Sequence, residues 1–286
     1  MRDNPWLERR VIAYAHQGGA KESPSSTLYA MRRALAHGAT GIELDVHATR
    51  DGEIVVCHDP TLDRTTNATG EIADLSIDEV RHLDNAYWFC PGEGAVRGRP
   101  VEDYVLRGRA PDDRDLCVAT LSEVLEAFPG VVLNLDIKRS APRVVPYEAA
   151  LAGVLREHGR QDDVVVASFS DEATGEFAKH APLTGIAAGT EATTEFHRRL
   201  HAGEPPQDGI ESYVALQVPA RFGPVVVVDE SFVEAAHASA LAVHVWTIDD
   251  PDEMERLVGL GVDGIISDRP SVLAGVLSRL GSNWKV

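Results

Sequence analysis

Eight short runs of β-branched and apolar residues recur along the chain, each followed by a stretch with apolar residues at helical spacing. No other feature limits the fold as much. The runs lie at 11–16, 41–46, 131–138, 163–169, 183–188, 213–218, 242–248 and 263–267. Between them stand segments such as TLYAMRRALAHG, YEAALAGVLREHG and PDEMERLVGLG, most of which end at Gly or a Gly-like stop. Strands that alternate with helices form parallel sheets. Eight such units predict an α/β fold, a TIM (β/α)8 barrel, with a doubly wound open sheet as the competitor. A chain of 286 residues suits one barrel domain over 1–286.

One stretch breaks the rhythm. After GIELDVHATRDG the sequence gives EIVVCHD, which reads as the return arm of a hairpin turned at Asp51-Gly52. Residues 60–117 are then rich in Thr, Asp, Gly and Pro. They have too little apolar content to fold alone, so the region of about 48–117 is read as a small insertion after strand two.

Composition narrows the partners. With 27 basic and 45 acidic residues the net charge is −18, and nucleic acid is excluded because phosphate backbones need a field of Lys and Arg. No apolar run reaches the roughly 20 residues of a membrane helix, and the start, MRDNPWLERR, has no signal-peptide pattern. Cys57, Cys90 and Cys117 are scattered and odd in number, without CxxC spacing. They point to a reducing compartment, and the expected location is cytoplasmic.

In a barrel of this kind the C-terminal strand ends build the active site. Strand one ends in His16-Gln17-Gly18-Gly19. Strand two places Glu43 and Asp45 on one face, with Leu44 on the other. Strand three places Asn134, Asp136 and Lys138 on one face, strand seven ends in Trp246-Thr247 and strand eight in Ser267-Asp268. Acid pairs on strands are often salt-bridge partners, but carboxylates converging inside a barrel mouth repel one another unless a cation lies between them. Oxygen ligands without Cys select Mg²⁺ or Ca²⁺ over zinc. His16, followed by two glycines, and His58, followed by Asp59, suit an acid–base pair. The other nine histidines are read as solvated helix faces or ends. The residues alone thus reach a metal-assisted acid–base enzyme.

Taken together, VIAYAHQGG, PSSTLYAMRRALAHGATGIELDVHATRDGEIVVCHDPTLDRTTNATGEIADL, LNLDIK, VASFS and VHVWTIDDPDEMERLVGLGVDGIISDRP resemble the glycerophosphodiester phosphodiesterase family, in the same order and over nearly the whole chain. The resemblance implies cleavage of an alkyl phosphodiester with one divalent cation, Mg²⁺ or Ca²⁺. It implies His16 and His58 as the catalytic pair and Glu43, Asp45 and Asp136 as metal ligands, Asp136 standing where many members have Glu. It further implies Lys138 as a phosphate contact and Trp246 as an aromatic near the substrate, with core packing as the alternative for Trp246.

Two departures stand out. Gln17 replaces the Arg of the family's His-Arg-Gly, and Ser25 replaces the Glu of its Pro-Glu-Asn-Thr. Gln17 offers the phosphate only neutral donors in place of a bidentate guanidinium, and Lys21 and Glu22 are the nearby candidates to compensate. VLEAFPGVVLNLDIK resembles lysophospholipase D-type members, so the substrate is either a water-soluble glycerophosphodiester or a lysolipid phosphodiester. A catalytically weak phosphodiester-binding barrel is the third reading. Tyr87, Trp88, Phe89 and Tyr104 are candidate walls of an apolar groove, or else the insertion's own core.

Overall fold

In the computed structural model, which describes residues 4–7, 11–138 and 146–283, the eight runs are eight parallel strands. They are β1 Ile12–His16, β2 Gly41–Ala48, β3 Val132–Ile137, β4 Val164–Ala167, β5 Gly185–Ala188, β6 Ala215–Pro219, β7 Ala242–Trp246 and β8 Gly264–Ser267. Each pairs with the next, and β8 pairs with β1 through Ala15 opposite Ser267, which closes the barrel. The open-sheet alternative is thereby excluded. The helices α1 Leu28–Ala36, α2 Leu121–Ala127, α3 Glu148–Glu157, α4 Asp171–His180, α5 Thr190–Ala202, α6 Glu230–Ala238, α7 Pro251–Leu260 and α8 Pro270–Leu280 follow the strands in turn. Their starts are fixed by local chemistry. The Thr27, Ser170 and Asp229 side chains accept backbone N–H bonds at α1, α4 and α6, and Thr120 with Glu123 forms a capping box at α2.

Alternation along the strands sorts two cores. Leu44, Val46, Leu133, Leu135 and Ile137 face outward onto the helices, as do Val243, Val245 and Ile265 on the opposite side. Inward-facing Ile12, Tyr14, Val132, Val165, Ala187, Ala215, Ala242 and Ile266 fill the barrel, with Trp6 packed against them. Two glycines make room for large rings there. A Cβ on Gly41 would lie 2.8 Å from the Tyr14 ring, and one on Gly264 would lie 2.8 Å from His244. The Asn4 side chain donates to the carbonyls of Val214 and Ala240, each at 2.8 Å, and ties the segment carrying Trp6 to the ends of the barrel.

The hairpin forms as read. Ile54–Val56 returns antiparallel to β2, with Val46 opposite Val56 and Gly52 at φ +90° in the turn. The Cys57 N–H then donates to the Asp45 carbonyl at 3.0 Å, so the chain reaches His58 beside the end of β2. The insertion carries two small apolar clusters, one around Leu62, Ile72 and Val80 and the other around Phe89, Leu106 and Leu116. Its aromatic residues pack on arginines: Arg107 lies 4.4, 4.6 and 3.7 Å from the centroids of Tyr87, Trp88 and Tyr104, and Arg97 lies 4.7 Å from Trp88. Phe89 is buried. Phe89 and Tyr104 are thus buried within the insertion, and Tyr87 and Trp88 are half-buried against its arginines rather than lining an apolar groove.

Two histidines correct the sequence reading. His47 and His244 are buried in strands, not solvated on helices. His47 Nε2–H donates to the His58 carbonyl at 3.3 Å. His244 packs against Tyr14, and neither of its ring nitrogens has a hydrogen-bond partner.

Candidate active site

Parallel register brings the site together, because it aligns inward-facing residues of neighbouring strands in layers. His16 stands opposite Glu43 across β1 and β2, and Asp45 opposite Asp136 across β2 and β3. One layer below, the Asn134 and Gln217 amides bond each other reciprocally at 3.0 and 3.1 Å and form a polar floor.

His16 and His58 face each other with ring centroids 6.4 Å apart and ring planes at 86°. Behind each Nδ1 lies a carboxylate, Asp268 Oδ1 at 2.6 Å for His16 and Asp59 Oδ1 at 2.6 Å for His58. Behind each carboxylate lies a cation. Lys21 Nζ is 3.7 Å from Asp268 Oδ2, and Arg64 Nε donates to Asp59 Oδ2 at 2.6 Å. Burial pushes both carboxyls up, but the hydrogen bond from the imidazole and the charge of the cation outweigh it, so both stay below the usual carboxylate range. A deprotonated acid can only accept. Nδ1 therefore carries the proton in both rings and Nε2 is the nitrogen available for chemistry.

The support for His16 extends further. Lys21 Nζ donates to Asp249 Oδ2 at 2.5 Å, and Asp249 Oδ1 accepts from Ser267 Oγ and from the Asp268 N–H, each at 2.9 Å. The acidic DDPDEMER run, which reads as a solvated helix start, is thus divided. Asp250 caps α7, and Asp249 turns toward the site. Burial pulls the His16 imidazole down, but Glu43, 3.8 Å from Nε2, and Asp268 raise it to about 9.

Glu43, Asp45 and Asp136 face inward from β2 and β3, and Lys138 reaches two of them. Its Nζ bonds Asp45 Oδ1 at 2.9 Å and Asp136 Oδ2 at 2.5 Å. Burial, then the charges of Asp45 and Asp136, lift Glu43 to about 8. Burial also lifts Asp136, to about 6, against the pull of Lys138. The Lys138 ammonium, which burial would weaken, is held above its usual range by its two carboxylates. Asp45 Oδ2 is buried without a hydrogen-bond partner. Among the described residues, no three His, Cys, Asp or Glu side chains stand in a ready metal cage.

Gln17 is buried, with φ +52°, and its Nε2 lies 3.2 Å from His16 Nε2. Its backbone N–H donates to Glu43 Oε2 at 3.2 Å. The two residues considered as substitutes for the missing arginine are engaged elsewhere, Lys21 on Asp249 and Asp268, and Glu22 on Ser271 at the start of α8. Trp246 is half-buried at the end of β7, and Phe169 packs edge-on against it at 5.6 Å. Phe169 is 59% exposed at the barrel mouth, and Lys138 Nζ lies 5.5 Å from its ring centroid. Sequence reading named Asp268 at the end of strand eight without giving it a role, and passed over Asp249 and Phe169.

Residues 16–272 match the model of the glycerophosphoryl diester phosphodiesterase family. A glycerophosphodiester phosphodiesterase of Caldanaerobacter subterraneus subsp. tengcongensis is 30% identical over 276 residues, 95% of this chain and 100% of that one. The crystal structure of a glycerophosphodiester phosphodiesterase from Agrobacterium tumefaciens superposes with a TM-score of 0.70 at 24% identity, over 93% of this chain and 99% of that one. An Oleispira antarctica phosphodiesterase, solved in complex with the product sn-glycerol-3-phosphate, has a TM-score of 0.70 at 23% identity, over 94% and 97% of the two chains. The match spans both histidines, the three carboxylates and Lys138, and the chain belongs to the glycerophosphoryl diester phosphodiesterase family.

Proposed function

We propose that this chain hydrolyses glycerophosphodiesters to an alcohol and glycerol phosphate by acid–base catalysis between His16 and His58, in a reaction that needs one divalent cation. The observation that carries this reading is the pair of imidazoles, each held at Nδ1 by a carboxylate and facing the other beside three inward carboxylates. The names of the relatives and the product bound to the Oleispira protein support the substrate class.

The residues follow the chemistry of such a cleavage. One imidazole Nε2 takes the proton of the neighbouring hydroxyl of the glycerol moiety as that oxygen attacks phosphorus and closes a cyclic phosphate. The other gives a proton to the departing alcohol, and water then opens the ring with the two roles exchanged. Lys138, beside the inward carboxylates, neutralises the phosphoryl oxygens. With Gln17 in the arginine position, no bidentate partner assists it.

The acid set fits a hard cation in its donor chemistry. All three ligands are carboxylates, one Asp45 oxygen lacks a partner, and Glu43 is driven toward its neutral form where no positive charge compensates it. Mg²⁺ or Ca²⁺ held by Glu43, Asp45 and Asp136 would polarise the phosphodiester. Lys138 must then release at least part of its hold on Asp45 and Asp136. A thermal scan tests this without any turnover. Lys138→Met leaves two buried acids uncompensated and is expected to destabilise by about 3 kcal/mol. Mg²⁺ or Ca²⁺ should then raise Tm more in this variant than in wild type.

The neighbourhood of His58 favours a water-soluble alcohol over a lysolipid. A cavity of about 370 Å³ beside Asp59 is lined by Thr61, Asp63, Arg64 and Arg97, and the insertion's aromatic residues are covered by arginines. One assay decides among the readings: glycerophosphocholine and a lysophospholipid, each with Mg²⁺, Ca²⁺ or EDTA, on wild type and His16→Ala. The proposal expects cation-dependent cleavage of the first, abolished by EDTA and by His16→Ala. Preference for the lysolipid would overturn the substrate class, and absence of turnover would favour a binding protein. No helix of the described residues is long and apolar enough to cross a membrane. The three cysteines are free and buried, in keeping with a reducing compartment.

A further inference from the structure

We infer that a groove between α1 and the start of α8, outside the reaction centre, is a second anion site built for a small phosphate monoester. Its volume is about 600 Å³, and Lys21, Glu22, Arg33, His37, Arg269 and Ser271 line it. The groove gathers basic side chains from separate elements. In a chain of net charge −18, most arginines of the described residues have an acid within ion-pair distance, as Arg50, Arg99, Arg198, Arg256 and Arg279 do. Arg33, His37 and Arg269 have no ion pair among the described residues, yet they converge on one space.

The only acid in the lining is already engaged. Glu22 Oε1 accepts from Ser271 Oγ at 2.6 Å, and Oε2 accepts from the Ser271 N–H at 3.3 Å. Nor does the groove relax the repulsion among its cations. Arg269 lies close enough to Lys21 for its charge to disfavour the Lys21 ammonium, which Asp249 and Asp268 hold from the other side. Arg33 and His37 also suit the end of α1, and Arg33 lies 5.7 Å from the Tyr29 ring centroid, but neither accounts for Arg269 at the start of α8.

A phosphate monoester answers this set of donors. Its dianion accepts several hydrogen bonds at once, and the guanidinium groups of Arg33 and Arg269 can each donate a pair of them. Large polyanions and acidic membranes are disfavoured by the charge of the rest of the surface, so the ligand is a small soluble one. The groove uses none of the proposed catalytic or metal-binding residues. It touches them only through Lys21, which also faces Asp268 behind His16.

Binding tests this apart from the phosphodiesterase reading, because it can be scored in a protein with no turnover. Inorganic phosphate and sn-glycerol 3-phosphate are titrated calorimetrically, in EDTA, into wild type, Arg33→Gln/Arg269→Gln and Lys138→Met. Both arginines are exposed, so the double variant keeps the fold, and far-UV circular dichroism checks it. The expected result is at least a tenfold loss of affinity for both probes in the double variant, with binding kept in Lys138→Met. Glycerophosphocholine cleavage by the double variant, at low phosphate, should stay within twofold of wild type. Affinity unchanged in the double variant, loss of all binding in Lys138→Met, or no binding to wild type would each overturn the inference. Tighter binding of sn-glycerol 3-phosphate than of inorganic phosphate identifies an organic ester as the occupant; the reverse order overturns that part and leaves free phosphate.

Discussion

The array behind His58 is assembled from one short loop, His58, Asp59 and Arg64, whereas the array behind His16 takes only Lys21 from the loop that follows it and draws Asp268 from 252 residues away and Asp249 from another loop. Both end in the same contact, a carboxylate 2.6 Å from Nδ1. They differ in what must be folded first. The His58 array needs only its loop, carried back to the barrel by the hairpin. That of His16 exists only when β8 lies beside β1, because that pairing places Asp268 against His16. The cations differ too: Arg64 pairs with Asp59, and Lys21 with both Asp249 and Asp268. A protein can thus orient one imidazole through sequence proximity and its partner through closure of the whole fold.

Removing each imidazole gives the largest expected effect. His16→Ala and His58→Ala should each lower kcat for glycerophosphocholine by about 10³-fold. Retention of more than a tenth of kcat in either variant would break the equivalence of the two arrays.

Next in size are the carboxylates behind the rings. Asp268→Asn and Asp59→Asn keep a side chain of the same shape without its charge, and each should lower kcat by about 10- to 100-fold, as losses of orienting groups do, with little change in KM. Recovery in Asp→Glu variants but not in the Asn variants would tie the loss to the carboxylate. If only Asp268→Asn also lowers Tm, the long-range array serves the barrel as well as the reaction.

The smallest effect concerns a histidine with no carboxylate at all. Burial lowers His244 from 6.5 to about 3. Below pH 6.5 the unfolded chain therefore takes up a proton at this position that the folded chain refuses, and stability falls with pH until about 3. Between pH 7 and pH 5.5 this amounts to about 1 kcal/mol of unfolding free energy. Urea unfolding of His244→Leu at those two pH values should show a difference smaller by that amount. An unchanged difference would show that the imidazole is not held neutral by its surroundings.

Much of this arrangement is legible in the sequence. The eight strands follow from β-branched runs, and the hairpin from Asp51-Gly52. The common face of Glu43 and Asp45 follows from their spacing of two, and the orientation of His58 from Asp59 beside it. Strand limits shift by one or two residues, as at β4, where Ser168 leaves the ladder to donate its hydroxyl to the Ile137 carbonyl at 2.8 Å. Other features were not legible. His47 carries no pattern that distinguishes it from a surface histidine, and the division of DDPDEMER between a helix cap and a site residue depends on which way one loop turns. His244, by contrast, lies inside the run 242–248 read as a strand, between Val243 and Val245, so its burial was available from the alternation and was passed over.

The sequence by itself determined the repeating unit, the chemistry at the strand ends and the acidic surface, because strand and helix periodicity and side-chain type are local properties. Only the tertiary structure decided that Lys138 lies between Asp45 and Asp136, that Asp268 holds His16 and that Arg33 and Arg269, without an ion pair among the described residues, line one groove. Each of these depends on strand register and barrel closure, which bring together groups far apart in the chain, and in a buried or crowded place a charge is stable only with the neighbours that closure supplies.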